Sequence, residues 1–188
     1  QPFFRPFPHQ LQMLPFQWDI LHDQASITIE SERDDVNIPT EKSHVIENFL
    51  IAAGKKEGHH YGWLFQDSDL YKWIEAAANT YLVEPNEDLL QMMQQCVEVI
   101  EDAQDEDGYL STFYQIDAPE LKFRRLFESH ELYCAGHLIE AALAFAAATG
   151  DERLLKVADR FISCIEHSFG PEEGKIDGTD GHQEIELA

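Results

Sequence analysis

Ser129-His130-Glu131-Leu132-Tyr133-Cys134-Ala135-Gly136-His137, followed by an apolar run to Ala148 and then by Thr149-Gly150-Asp151, decides the fold. The run spaces its apolar residues as a helix does, Gly150 stops that helix, and Asp151 caps a second one that reaches about His167. One helix, a tight turn and a returning helix make an antiparallel pair. The same unit recurs toward the amino terminus. Val45, Ile46, Phe49, Leu50 and Ala53 follow helical spacing from Lys42, with Gly54 as a stop. A second helix starts near Asp67 or Ser68, carries Leu70, Trp73, Ile74, Ala77, Ala78 and Tyr81, and ends before Pro85. A third covers about Glu87 to Ala103, with Leu89, Leu90, Met93, Val97 and Ile100 on one face.

Between these helices lie a loop at 55–62, a tight turn at Asp107-Gly108-Tyr109, and a stretch at 111–128 that reads as irregular. Gly170 to Gly181 is a glycine- and acid-rich loop, and a sixth helix begins near His182. Residues 1–18 hold Pro2, Pro6, Pro8 and Pro15 among aromatics, so residues 1–41 are expected to form an extended, wrapping segment, with a short strand at Ile27–Ile29. The class is all-α. Helix pairs build either a solenoid or an α/α toroid. No period of about 34 residues recurs, and the loops differ in length, which favours the toroid. Residues 42–188 are therefore expected to form about half of an (α/α)6 barrel, the amino-terminal half of a truncated catalytic domain.

The chain of 188 residues is 44% hydrophobic and 11% aromatic, enough for one packed core. Asp and Glu number 36 against 13 Lys and Arg, a formal net charge of −23. Such a field repels phosphate backbones and anionic lipid, so nucleic acid and membranes are not expected partners. A neutral, hydroxyl-rich ligand meets no such penalty. No uninterrupted apolar run reaches spanning length, and the amino terminus lacks a signal-peptide layout. Cys96, Cys134 and Cys164 are odd in number, form no Cys-x-x-Cys pair, and sit in helical patterns. A reducing, cytoplasmic location is the simpler expectation.

Two histidines at expected helix starts, His130 and His182, are the candidate ligand residues. A neutral imidazole there can both donate to and accept from sugar hydroxyls; the plainer alternative is helix capping or a surface position. His130, Cys134 and His137 share a helix face, but His130 and His137 are two turns apart, roughly 10 Å along the axis, too far to ligate one ion. Cys134 then reads as a small buried hydrophobe and His137 as a satisfied structural histidine. The run from Trp63 to Trp73 combines aromatics with Asp67 and Asp69, as a carbohydrate subsite would. It can equally be a helix start, with Asp67 as cap, Trp73 in the core and Lys72 paired with an acid. Glu184 and Glu186 are two apart and point different ways on a helix, which disfavours a carboxylate dyad. Asp105-Glu106-Asp107-Gly108 lacks the terminal glutamate of a calcium loop and reads as a turn.

Taken in order, these stretches resemble the amino-terminal part of glycoside hydrolase family 127, the bacterial β-L-arabinofuranosidases. They are Lys42-Ser43-His44 with Ala52-Ala53-Gly54, Phe65-Gln66-Asp67-Ser68-Asp69 with Tyr71-Lys72-Trp73, Asp107-Gly108-Tyr109-Leu110, and Ser129-His130-Glu131 with Tyr133 and Gly136-His137. Phe169-Gly170-Pro171-Glu172-Glu173-Gly174-Lys175 and Gly181-His182 with Glu184-Ile185-Glu186-Leu187-Ala188 complete the set, which covers nearly the whole chain. The resemblance implies an (α/α)6 barrel and retaining hydrolysis of terminal β-L-arabinofuranosides. It also implies a zinc-bound cysteine nucleophile and a glutamate acid/base, all downstream of the matched stretches. Zinc is thus an expected cofactor whose ligands lie outside this chain, and no catalytic residue is expected within it. Carried over by position, His130 and His182 become sugar contacts and Phe65 an aromatic wall. Where the family has a glutamine before the first barrel helix, this chain has Asn37, a shorter amide.

Two functions follow. The first is an enzyme: a glycosidase of which this chain supplies sugar-binding residues, inactive by itself. The alternative is a non-catalytic helical module that binds a sugar or a protein. The expected partner is a small carbohydrate. Uncovered apolar helix faces also leave room for a homo-oligomer.

Overall fold

Helix α1 (Val45–Ala52) buries Val45, Ile46 and Phe49, the residues its periodicity marks as a core face. Gly54 follows with φ +69°, a left-handed position that ends the helix. The structure is a computed structural model that describes residues 43–188. The expected wrapping segment 1–41, including the Ile27–Ile29 strand and Asn37, lies outside the described residues. Helix α2 (Asp67–Val83) and helix α3 (Glu87–Ala103) are separated by a short turn in which Asn86 Oδ1 accepts the Leu89 amide at 3.0 Å. The stretch expected to be irregular contains helix α4 (Thr112–Asp117), a 3-10 turn at Pro119–Leu121 and helix α5 (Leu126–Ser129). These pieces are one or two turns long, too short for a periodic pattern to show in the sequence.

Helix α6 (Glu131–Thr149) begins later than its pattern suggests because His130, at φ 56° and ψ 20°, breaks the backbone between α5 and α6. Gly150 adopts φ +75°, and Asp151 Oδ1 accepts the Arg153 amide at 3.0 Å to open helix α7 (Arg153–Ser168). Helix α8 (Glu184–Leu187) is a single turn. Among the described residues no strand forms; the only pairing is a bridge between Phe169 and Ile176.

Helix α6 is the centre of the packing. It lies against α2 and α7, with α8 across its first turns, while α3 packs on α1, α2 and α7, and α4 on α1. Leu138, Ala141, Ala142 and Phe145 of α6 are fully buried, and Leu154, Val157, Ala158 and Phe161 face them from α7. By length and composition α6 could cross a membrane. It carries Glu131 and Glu140, however, and it is the core helix of this bundle.

Two contacts fix the start of α6. Glu131 is fully buried, and its Oε1 accepts the Phe123 amide at 2.9 Å and also the Tyr109 hydroxyl. One carboxylate thus ties the 109–123 connection to the helix. Gly136 lets α8 close on the other side. A Cβ there would meet the Glu184 carbonyl carbon at 2.9 Å and its oxygen at 3.0 Å. Gly136→Ala is expected to push α8 off α6 at a cost of about 1–3 kcal/mol, read as a lowered thermal midpoint. A midpoint equal to the parent's would show that the close approach carries no packing energy.

Candidate functional site

The site forms where the α5–α6 junction meets the 178–184 loop. His130 occupies the left-handed backbone position at the junction, a conformation that costs a non-glycine residue about 1 kcal/mol and that gathers at ligand-binding positions. Its Nδ1 lies 2.7 Å from the Glu128 carbonyl oxygen. A carbonyl only accepts, so Nδ1 carries the proton, and in the neutral ring Nε2 is left as an acceptor.

His130 does not cap α6; its side chain makes no capping hydrogen bond. Asp180 does so instead, accepting the Tyr133 amide at 2.9 Å from 47 residues away, while its other oxygen accepts the Gly181 amide at 2.7 Å. The helix N-terminus favours that negative charge. The same bond pins the loop that carries His182. Gly181 makes room for it, since a Cβ there would sit 2.5 Å from the Phe127 carbonyl oxygen.

The two imidazoles consequently meet, with ring centroids 4.5 Å apart. Phe65 lies 5.0 Å from His130, and Tyr133 lies 5.7 Å from His130 and 5.1 Å from His182. An open cavity of about 490 Å³ adjoins the cluster, lined by Tyr133, His182, Gln183, Glu184, Glu186 and Leu187. Three of the four site residues read from the sequence thus come together; Asn37 lies outside the described residues.

Neighbouring residues take roles other than those expected. Asp67 does not cap α2. It is buried and accepts the Thr112 amide at 2.8 Å and the Thr112 hydroxyl at 2.5 Å. Burial pushes its carboxyl up to about 6, against the lowering effect of those two bonds. Sealed in this way, it is closed to a ligand, whereas Asp69 two residues on is exposed. Lys72 forms no ion pair among the described residues; it donates to the Tyr133 hydroxyl at 2.6 Å and to Ser68 Oγ at 3.3 Å. Tyr133 is thereby fixed with its ring beside both histidines.

The comparisons with known proteins agree on one family. The family model described as "Beta-L-arabinofuranosidase, GH127 catalytic domain" matches residues 12–188.

The chain belongs to glycoside hydrolase family 127.

A non-reducing end beta-L-arabinofuranosidase of Bifidobacterium longum is 40% identical over the whole chain, which spans 29% of that protein. A family 127 beta-L-arabinofuranosidase from Geobacillus stearothermophilus T6, solved by crystallography, superposes with a TM-score of 0.83 at 44% identity. That match covers 93% of this chain and 26% of the other. A second solved family 127 beta-arabinofuranosidase superposes at TM-score 0.72 and 28% identity, covering 77% of this chain and 24% of that one. The all-α helix pairs seen here accord with the (α/α)6 barrel that the resemblance implies.

The thiols of this family 127 chain do not fit a zinc-bound nucleophile. Cys96 and Cys134 are buried, and desolvation pushes both thiols well above their ordinary range. Cys134 donates to the Phe65 carbonyl oxygen at 3.7 Å, as a core thiol would. Cys164 is half-buried, and burial pushes it up as well. Among the described residues the one group placed to share a cation contains no thiol. It is His137, Glu140 and Glu184, whose ligand atoms lie within 4.8 Å of one another. His137 is not the satisfied histidine its sequence position suggests. Its Nδ1 is buried without a hydrogen-bond partner, 3.5 Å from Glu140 and 3.4 Å from Glu184. Glu184 reaches it only because α8 folds back over Gly136, which no local pattern announces.

Proposed function

We propose that this chain is part of a retaining glycosidase that removes terminal β-L-arabinofuranosyl residues, and that it supplies the wall on which the terminal sugar rests. The pairing of His130 with His182 carries this reading. Two imidazoles from segments far apart in sequence converge beside a cavity, next to an aromatic face. Nε2 of His130 accepts a hydrogen bond from a sugar hydroxyl, His182 binds a neighbouring hydroxyl, and Phe65 covers an apolar edge of the ring. Because each contact is neutral, the acidic surface does not oppose the ligand.

Nucleophile and acid/base come from residues outside this chain. Of its own carboxylates near the histidines, Asp180 caps α6 and Glu131 is sealed in the core. Zinc, where the full-length enzyme holds it, would keep a thiolate deprotonated. The residues described here take no part in holding that group. Family membership favours this enzyme over a non-catalytic module. The free thiols of Cys96, Cys134 and Cys164 support a reducing, cytoplasmic location.

The test uses the full-length protein and a β-L-arabinofuranosyl disaccharide in the presence of methanol. Release of L-arabinose is expected, together with a methyl glycoside that keeps the β configuration. An inverted glycoside would overturn the retaining mechanism, and absence of release would overturn the activity.

A further inference from the structure

Trp63 is a large apolar side chain left 66% exposed. It does not sit on a loose loop. Asn48, fully buried, holds Tyr61, two residues earlier, from both sides: its amide donates to the Tyr61 carbonyl and its oxygen accepts the Tyr61 amide, each at 2.9 Å. Gln66, also buried, accepts the Trp63 amide at 3.3 Å and donates its own backbone amide to the Trp63 carbonyl at 2.9 Å. Further back, Asp117 holds His59 at 2.8 Å and the His60 amide at 2.9 Å. The loop that carries this indole is therefore anchored at several points.

Its orientation is just as specific. The indole lies nearly parallel to the Phe65 ring, 10° between planes and 6.0 Å between centroids, an offset stack. Phe65 touches His130, and His130 touches His182. A chain of ring contacts therefore links the two imidazoles, through Phe65, to an exposed indole. Each step is comparable to the width of one sugar ring. Sugars have apolar C–H faces that pack on flat aromatic rings while their hydroxyls stay in water. A neutral saccharide is also the ligand least opposed by a net charge of −23.

The geometry points to Trp63 as the platform for the second sugar residue of a saccharide whose terminal arabinofuranose is held by His130 and His182. This rests on the proposed glycosidase reading and extends it to the leaving-group side. Trp63 is then a specificity residue: it contributes to substrates with a second ring and contributes nothing to those without one.

The full-length enzyme tests this with two substrates that share the terminal sugar, a β-L-arabinofuranosyl disaccharide and methyl β-L-arabinofuranoside. For Trp63→Ala, the ratio of kcat/KM for the disaccharide to that for the methyl glycoside should fall about tenfold, the loss of one stacked apolar face, through KM rather than kcat. Trp63→Phe, which keeps a flat ring, should restore most of the ratio. An unchanged ratio in Trp63→Ala, whether or not overall activity or stability falls, overturns the platform. A phenylalanine variant as impaired as the alanine one overturns it too. If the unmodified enzyme cleaves neither substrate, the glycosidase reading itself fails and takes the platform with it, an outcome distinct from the other two.

Discussion

Replacing His130 with alanine is expected to lower kcat/KM for a terminal β-L-arabinofuranoside by about 100-fold or more, the usual effect of deleting one well-placed polar contact to the reacting sugar. The structure also says what should not change. Alanine suffers the same left-handed strain as histidine at φ 56°, so the backbone cost is carried over. The bond lost within the protein, Nδ1 to the Glu128 carbonyl, is exposed and contributes about 1 kcal/mol at most. Cap strength is unaffected, because Asp180 and not His130 accepts the Tyr133 amide. A thermal midpoint within a few degrees of the parent's should therefore accompany the loss of activity. His130→Gly sharpens the comparison. Glycine relieves the strain, so that variant should be at least as stable as the alanine one and equally inactive. Parent-like kinetics in either variant would remove His130 from the sugar site. Activity loss matched by wholesale unfolding would make it a folding residue instead.

The largest stability effect is expected at the next residue. Glu131→Ala should destabilise the protein by about 2–5 kcal/mol, a large share of the roughly 5–15 kcal/mol that holds a domain folded. The carboxylate is fully buried and accepts both the Phe123 amide and the Tyr109 hydroxyl. Removing it leaves two buried donors without an acceptor and opens a cavity beside the start of α6. It also releases the connection that positions the α5–α6 junction, and His130 with it. Burial pushes the Glu131 carboxyl above its ordinary range, so its negative charge is itself not favoured there. Glu131→Gln keeps the shape and one acceptor oxygen and should lose much less, about 1–2 kcal/mol. Denaturant unfolding of the three proteins checks the order, and an alanine variant as stable as the parent would contradict it.

Side by side, these neighbours show what a sequence conveys. His130 and Glu131 stand in one short motif and look equally available for chemistry. The fold turns one outward beside a cavity and seals the other in the core. Asp67 and Asp69 divide in the same way: Asp67 is sealed against Thr112, 45 residues away, and Asp69 is open to solvent. In both pairs the difference lies in partners remote in the chain.

Helix positions were legible from the residues alone. Glu87–Ala103 matches its periodic pattern at both ends, and the stops at Gly54 and Gly150 stand where expected. An α-helix is built from bonds four residues apart and ended by caps within a turn, so its information is local. Ordered motifs likewise named the family and picked out His130, His182 and Phe65. Only the tertiary structure brought those three rings together, made Asp180 the cap of a helix that starts long before it, set His137 Nδ1 between Glu140 and Glu184 without a hydrogen bond, and left Trp63 exposed. Those outcomes depend on which helices pack and on where Gly136 and Gly181 let the chain approach itself. Such long-range contacts leave no trace in the spacing of neighbouring residues.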